Sequence, residues 1–193
     1  MNNKYALITG STAGIGLDIA KELARLGHNI VLTARREDRL KEIAGQLSEE
    51  FNIHCDYVVA DLADNSAPET IFNFCSSHNY AVEILVNNAG INIVGDFDQI
   101  TDENWQAVLD VDLKGVFICC QEVLPYINES GRIINIGSVS GEYGGPRTPS
   151  YACAKSGVMA LTHCLARFIG DKNVTVNCVS PGPIESEMLA TMP

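Results

Sequence analysis

A glycine-rich turn near the N-terminus limits the folds open to this chain more than any other stretch. An apolar run over residues 4–9 predicts a buried strand, and apolar residues at helical spacing follow from Ile15. Glycines between a strand and a helix let the backbone approach a pyrophosphate, which the free N–H groups of the helix then bind. Such a turn alone is weak evidence, but its position between strand and helix predicts a phosphate site. We assign it to Gly10, Ser11, Thr12, Gly14, Ile15 and Gly16.

Strand and helix patterns alternate along the rest of the chain. The predicted strands are 4–9, 29–34, 53–59, 83–87, 131–136 and 174–179, and the predicted helices are 15–26, 37–50, 68–77, 101–127 and 150–169, with a loop at 141–149. Nearly continuous apolar strands between helices indicate a parallel sheet covered on both faces. We therefore expect an α/β fold with a doubly wound, Rossmann-type sheet of six strands in the order 3-2-1-4-5-6, within one domain over residues 1–193.

Two arginines follow the second predicted strand. Dinucleotide enzymes that use NAD place an acidic residue at this point, whereas an arginine accommodates the 2′-phosphate of NADP. Arg35 and Arg36 stand here, and a guanidinium can bind phosphate through two parallel hydrogen bonds. The alternative is a solvated helix start, since Glu37 and Asp38 partly offset the charge. We expect NADP(H) as the preferred cofactor and NAD(H) as a possible one.

A tyrosine and a lysine lie four residues apart in the last long helix. This spacing places Tyr151 and Lys155 on one helix face, where an ammonium favours the phenolate form of the phenol. The pair predicts a proton donor if the helix faces a cleft. The alternative is a chance spacing on an amphipathic helix.

Composition excludes several classes of function. A net charge of -11 argues against nucleic acid and against an anionic membrane surface. The N-terminus lacks a signal peptide, and no apolar segment reaches the roughly 20 residues that span a bilayer. We therefore expect a cytoplasmic protein. The seven cysteines and four histidines show no metal-ligand spacing, so buried reduced thiols are expected and a metal site is not.

Five motifs in order resemble the short-chain dehydrogenase/reductase family, and within it the 3-oxoacyl-[acyl-carrier-protein] reductase type. They are the turn at residues 9–16, the run Asn87-Asn88-Ala89-Gly90, Ser138, Tyr151 with Lys155, and Pro181-Gly182. The resemblance implies hydride transfer between NADP(H) and a carbonyl or secondary alcohol, with a 3-oxoacyl thioester as one possible substrate. It also implies a homodimer or homotetramer packed through helices 101–127 and 150–169.

The resemblance also implies roles for individual residues. Ser138 would hold the substrate oxygen, Tyr151 would exchange the proton, and Lys155 would assist the tyrosine and bind the nicotinamide ribose. Cofactor contacts are implied for Asp61 and Leu62 at the adenine, for Asn88, Ala89 and Gly90 at the adenosine ribose, for Pro181, Gly182 and Ile184 at the nicotinamide, and for Ser186 at the carboxamide.

Two departures from the family leave alternatives open. The family places an asparagine that helps to hold a relay water where this chain has Asp112, and a carboxylate offers acceptors but no amide donor. Relatives also continue beyond Pro-Gly to a last strand, so we expect a chain shortened at the C-terminus. A dinucleotide-binding protein with weak or no catalysis is therefore the main alternative. An epimerase or dehydratase of the extended relatives is a third alternative. Those enzymes carry a C-terminal sugar-nucleotide domain, for which this chain has no room.

Overall fold

A single six-stranded parallel sheet forms the centre of the computed structural model, which describes residues 3–185 except for the side chain of Asn128. The strand order is β3-β2-β1-β4-β5-β6, which confirms the predicted α/β doubly wound fold and its strand order. The strands are β1 (Lys4–Thr9), β2 (Asn29–Ala34), β3 (Cys55–Val59), β4 (Ala81–Asn87), β5 (Ile127–Ile136) and β6 (Thr175–Val179).

Helices connect the strands and cover both faces of the sheet. They are α1 (Gly14–Arg25), α2 (Glu37–Phe51), α3 (Ala67–Ser77), α4 (Asp102–Leu109), α5 (Val116–Val123), α6 (Ser140–Tyr143) and α7 (Pro149–Phe168). A wide, π-helical segment, Asp110–Gly115, joins α4 to α5 without a break in the helix. Single 3₁₀ turns lie at Phe97–Gln99 and Gly170–Lys172.

Alternating side chains on the strands build two apolar cores. On β1, Leu7 points to the core formed with α3, α5 and α7, whereas Ile8 points to the core formed with α1 and α2. Both side chains are fully buried. A strand that is apolar on both faces needs cover on both, and this requirement explains why the helices divide between the two sides.

A buried polar cross-link ties the middle of the sheet to α7. The side-chain amide of Asn87 donates to Asn135 Oδ1 at 2.9 Å, and the amide of Asn135 donates to Thr162 Oγ1 at 2.9 Å. Thr162 in turn donates to the carbonyl of Val158 at 2.8 Å. Because buried polar groups are costly unless paired, this chain of bonds fixes α7 against β4 and β5.

The predicted helix 101–127 was too long. It ends at Val123, where Tyr126 N–H donates to the Val123 carbonyl in a closing turn, and β5 begins at Ile127 rather than at residue 131. Ile127 pairs with Val82, and the register then shifts between Val82 and Ile84. This irregularity, together with Ser130 at φ +70°, breaks the apolar pattern that a regular strand would show.

The predicted loop 141–149 was also wrong in part, because its first residues lie in the short helix α6 (Ser140–Tyr143). Gly141 packs against α7, where an added Cβ would lie 2.8 Å from the carbonyl carbon of Lys155. Gly144, at φ +78°, ends this turn. A Gly-rich stretch predicts a loop, but here glycine permits a helix to approach another backbone closely. The predicted third strand also began too early, since β3 starts at Cys55.

Within residues 3–185, no helix is long and apolar enough to cross a membrane, and no group of three His, Cys, Asp or Glu side chains is arranged to hold a metal ion. The seven cysteines are free thiols. Burial raises the pKa of Cys75 and of Cys120 to about 12, so both thiols stay protonated at neutral pH.

Candidate active site

A cavity of about 440 Å³ opens at the carboxyl ends of the strands. In an open α/β sheet, this edge near the point where strand order reverses is where ligands bind. The cavity runs from the glycine turn to α7, and most of the predicted site residues line it. These are Gly10, Thr12, Gly14, Ile15, Arg35, Arg36, Asp61, Leu62, Asn88, Ala89, Gly90, Tyr151 and Lys155.

Backbone contacts make the glycine turn tight. Gly10 has φ +66°, and a Cβ there would lie 2.7 Å from the Cα of Ala89. At Gly16, a Cβ would collide with the side-chain amide of Asn88 and with the carbonyl of Gly10. Asn88 Nδ2 donates to the carbonyls of Thr9 and Gly10, at 2.9 Å and 3.0 Å. The amide of Asn88 therefore braces the turn.

The N-terminus of α1 fits a phosphate group. Its first turn carries no acidic residue, and Ala13 at the N-cap position provides no side-chain hydrogen bond. Gly14 and Ile15 line the cavity, so the first turn of the helix borders the cavity with its partial positive charge available to an anion. Ser11 lies behind this surface, fully buried, where its hydroxyl donates to the carbonyl of Thr33 at 3.3 Å. Ser11 and Gly16 thus shape the turn without lining the cavity.

The two arginines lie at the end of the cavity that contains the glycine turn. Arg36 donates to Thr12 Oγ1 at 3.3 Å, and Arg35 Nη1 lies 4.0 Å from Asp61 Oδ2. Asp61 also accepts the N–H of Ala63 at 3.1 Å, so it serves a local turn as well as lining the cavity. The guanidinium groups are exposed and stand beside the glycine turn.

Lys155 lies at the other end of the cavity and is 3% exposed. Its ammonium donates to the carbonyl of Ile136 at 3.0 Å and lies 5.5 Å from the ring centroid of Tyr151. The two residues predicted from their spacing therefore share one face of α7, and that face is turned to the cavity.

Asp112 lies behind Lys155, with none of its surface exposed. The π-helical segment turns this side chain inward, where Oδ1 accepts the N–H of Ile91 at 2.7 Å. Oδ2 faces the Lys155 ammonium at 3.3 Å as an ion pair without the alignment of a hydrogen bond. Burial raises the pKa of the Asp112 carboxyl, while the charge of Lys155 and the bond from Ile91 oppose that rise.

Ser138 follows β5 and is 8% exposed. Its Oγ accepts the N–H of Ser140 at 3.1 Å, which leaves the hydroxyl hydrogen free to donate elsewhere. The next residue, Val139, donates its N–H to the carbonyl of Pro181 at 3.1 Å. This bond holds the Ser138 and Pro181 segments side by side, although neither residue lines the cavity as it stands.

Two segments that follow β4 and β5 are joined to each other. The N–H of Gly95 donates to the carbonyl of Arg147 at 2.9 Å, and the Arg147 side chain pairs with Asp96 at 3.0 Å. Both segments leave the sheet at its carboxyl edge, which is the edge where the cavity opens.

Some predicted residues lie outside the cavity, and some lining residues were not predicted. Gly182 and Ile184 are exposed beyond Pro181, and Ser186 lies outside the described residues. The lining also includes Thr9, Ala13, Thr33, Ala34, Ala60, Ile91, Val111 and Ile136. Most of these are small or apolar residues at strand ends, and only the rule that ligands bind at the carboxyl ends of strands could have pointed to them.

The sequence matches the family profile described as short chain dehydrogenase over residues 4–193. It is 37% identical to the 3-oxoacyl-[acyl-carrier-protein] reductase FabG of Staphylococcus epidermidis, covering 96% of this chain and 77% of that protein. The FabG of Chlamydia trachomatis is 33% identical, with 98% and 77% covered.

Solved structures are also similar to this chain. A short chain dehydrogenase from Burkholderia cenocepacia in complex with NADP has a TM-score of 0.91 and 31% identity, covering 96% of this chain and 76% of that one. A variant of actinorhodin polyketide ketoreductase with NADPH has a TM-score of 0.91 and 33% identity, with 97% and 73% covered.

These reported relatives are named as reductases or dehydrogenases, so they give no support to a binding protein without catalysis. The glycine turn, the Tyr151–Lys155 face and the sheet order agree with the family match. The chain belongs to the short-chain dehydrogenase/reductase family of NAD(P)-dependent oxidoreductases.

Proposed function

We propose that this protein transfers hydride between NADP(H) and a carbonyl compound or secondary alcohol, with Tyr151 as the proton donor and acceptor. The observation that carries the proposal is one cavity with the glycine turn at one end and the Tyr151–Lys155 face at the other. A dinucleotide whose pyrophosphate lay on the turn would extend toward Tyr151.

The bound cofactor supplies the hydride, and the protein supplies position and a proton. As negative charge develops on the substrate oxygen, the Ser138 hydroxyl donates to that oxygen and Tyr151 delivers its proton. The accepted bond from Ser140 orients the Ser138 hydroxyl for this role. Lys155 holds its ammonium beside Tyr151 and keeps donor capacity for the ribose hydroxyls. Thus Ser138, Tyr151 and Lys155 act on one oxygen atom and one ribose.

The arginines support NADP(H) over NAD(H). Arg35 and Arg36 line the cavity next to Thr12, and no acidic residue stands between Thr33 and Arg36. A 2′-phosphate would therefore find cations where an NAD enzyme holds a carboxylate. The similar structures named with NADP or NADPH are consistent with this preference.

The proposed substrates are ketones, including 3-oxoacyl thioesters. This part of the proposal takes its support from the relatives named 3-oxoacyl-[acyl-carrier-protein] reductase and polyketide ketoreductase. A small ketone is the compound to compare with the thioester.

We also propose a homodimer or homotetramer packed through the long helices. Apolar side chains of both helices surround an open depression of about 340 Å³, and Phe117 there is 47% exposed. Leu109, Leu113 and Leu161 line the same depression. An exposed apolar patch across two helices is typical of a contact between subunits. The cytoplasmic location and the single domain remain predictions.

The test is turnover by Tyr151→Phe beside Tyr126→Phe as the matched control. Tyr126 stacks on Phe72 and does not line the cavity, so removal of its hydroxyl leaves the cavity unchanged. Loss of NADPH absorbance is followed with a small ketone and with a 3-oxoacyl thioester. We expect Tyr151→Phe to lower kcat by at least about 100-fold, because general acid catalysis contributes on the order of 10²–10⁴. NADPH affinity should change little.

Wild-type turnover by Tyr151→Phe would remove Tyr151 from the reaction. Failure of the wild-type protein to oxidise NADPH with either carbonyl class would contradict the proposed function itself.

A further inference from the structure

The ammonium beside Tyr151 is also beside a buried carboxylate. Asp112 Oδ2 lies 3.3 Å from Lys155 Nζ, and the two side chains are 0% and 3% exposed. The same Nζ lies 5.5 Å from the ring centroid of Tyr151. Tyr151 therefore does not meet a lone cation but one whose charge is partly neutralised.

Several contacts build this pair into the site. The N–H of Ile91 fixes Asp112 Oδ1 at 2.7 Å, and the π-helical segment turns the carboxylate toward Lys155. A Cβ added at Gly90 would lie 2.6 Å from Oδ2 and 3.4 Å from Nζ, which shows that Gly90 lies against both partners. The carbonyl of Ile136 holds the ammonium from the third side. The carboxylate thus has one available position, facing the cation.

We propose that Asp112 is a positioning residue that holds Lys155 and offsets its charge at Tyr151. Carbonyl reduction then continues to a higher pH than it would with an uncharged residue at position 112. This inference rests on the proposed role of Tyr151 as proton donor. An ammonium alone favours the phenolate, and a carboxylate nearby disfavours it. The amide of asparagine has nearly the shape of this carboxylate but lacks the charge, so one substitution separates the two effects.

Arg35, Arg36 and Asp61 line the same cavity as Tyr151 and Lys155. The other titratable groups on the elements packed against the pair are exposed, partly buried or in the core. The segment after β4 and the end of β5 carry none between residues 88 and 95 or between 133 and 137. On the π-helical segment, Asp110 and Lys114 pair with each other on the outer side. The remaining groups on the packed elements are the exposed Asp102, Glu103, Glu142, Tyr143, Cys153, His163, Cys164 and Arg167, the partly buried Glu122 and Cys178, and the buried Cys119 and Cys120.

The size of the effect follows from distance. The two contacts place Asp112 Oδ2 no more than about 9 Å from the centroid of the Tyr151 ring. At an effective dielectric constant of about 20, a unit charge at that distance displaces a titration by about one pH unit. We therefore expect the midpoint of the pH profile of kcat/KM for alcohol oxidation to fall by about one pH unit in Asp112→Asn.

A second measurement does not depend on turnover. The absorbance of the Tyr151 phenolate is obtained at each pH by subtracting the ultraviolet absorbance of a Tyr151→Phe variant from that of the same protein with Tyr151. This difference should appear about one pH unit lower in the Asp112→Asn background than in the wild-type background. An inactive wild-type protein would defeat the proposed function, while this titration would still decide the role of Asp112.

Asp110→Asn is the matched control. It removes the same charge from the same helical segment, but Asp110 pairs with Lys114 at 3.8 Å and accepts from Gln106 at 2.8 Å on the outer surface. We expect both of its titrations to coincide with those of the wild-type protein. Equal shifts in the two variants, or no shift in Asp112→Asn, would overturn the proposal.

Thermal unfolding covers the case in which Asp112→Asn alone is poorly folded. Lys155→Met leaves the Asp112 carboxylate buried without its cation, which is costly. Adding Asp112→Asn to Lys155→Met should then raise Tm by more than the same change does in the wild-type background. A change of equal size in both backgrounds would show that the two side chains are not coupled.

Discussion

Removal of Arg35 and Arg36 should change which dinucleotide the protein prefers. Both guanidinium groups stand at the cavity beside Thr12, and the Arg35 side chain is 68% exposed. A hydrogen bond to a charged group contributes about 1.5–3 kcal/mol, and exposure to solvent favours the lower end of that range. About 1.4 kcal/mol is a tenfold change in Kd. We therefore expect Arg35→Ala and Arg36→Ala each to weaken NADPH binding by about tenfold.

NADH provides the internal comparison, because it lacks the 2′-phosphate. Its Kd should stay within about twofold in each variant, and the double variant should approach the product of the two single losses for NADPH. Calorimetric titration with both dinucleotides at two salt concentrations measures this directly. Added salt should weaken NADPH binding in the wild-type protein more than in the double variant, since exposed charges are screened.

Arg39→Ala is the control for loss of a positive charge near this edge. Arg39 pairs with Glu42 at 2.6 Å along α2 and does not line the cavity. Its NADPH affinity should match that of the wild-type protein. Equal losses of NADH and NADPH binding in Arg35→Ala and Arg36→Ala would refute the reasoning, because the arginines would then act on the shared part of the two cofactors.

Three further changes test other parts of the structure. Gly10→Ala should abolish detectable dinucleotide binding in calorimetry, because Gly10 has φ +66° and its Cβ would meet Ala89; retained binding would contradict this account of the turn. Thr101→Ala should lower the free energy of unfolding by about 1 kcal/mol in urea without changing KM, since Thr101 caps α4 through the N–H of Asn104 at 3.2 Å; an unchanged urea midpoint would refute it. The raised pKa of Asp112 means that its protonation stabilises the fold at low pH and that this contribution is lost as pH rises through the raised value. As pH rises above about 4, the ordinary pKa of this carboxyl, the wild-type protein should therefore lose stability relative to Asp112→Asn, and parallel curves would contradict that sign.

The sheet and its order could be predicted because the central strands β1 and β2 are apolar on both faces and the long helices have one apolar face. The predicted bounds of β1 and β2 match the structure at both ends, since turn residues flank these runs. β5 was harder, because its first residues pair across a register shift next to Ser130 at φ +70°. Such irregular pairing depends on the neighbouring strand, which local sequence does not describe.

The site was predicted through its polar and glycine residues, and less well through its packing. Tyr151 and Lys155 share a face because of helical spacing, which sequence shows directly. The direct contact between Asp112 and Lys155 depends on a π-helical segment, and no residue pattern there distinguishes a wide turn from an ordinary one. Likewise, Asn88 was expected at the ribose, whereas its amide also braces the glycine turn, a role visible only from the contact.

The cross-link from Asn87 through Asn135 to Thr162 constrains one part of the molecule and leaves another part open to change during evolution. It secures α7, which carries Tyr151, to β4 and β5. The segments that meet at Gly95 and Arg147 follow β4 and β5 and are joined by a separate backbone hydrogen bond. Insertions or exchanges in these two segments can therefore change the surface at the carboxyl edge of the sheet while the anchoring of α7 keeps its geometry. One inherited chemistry can in this way be adapted to new metabolites by changes confined to two surface connections.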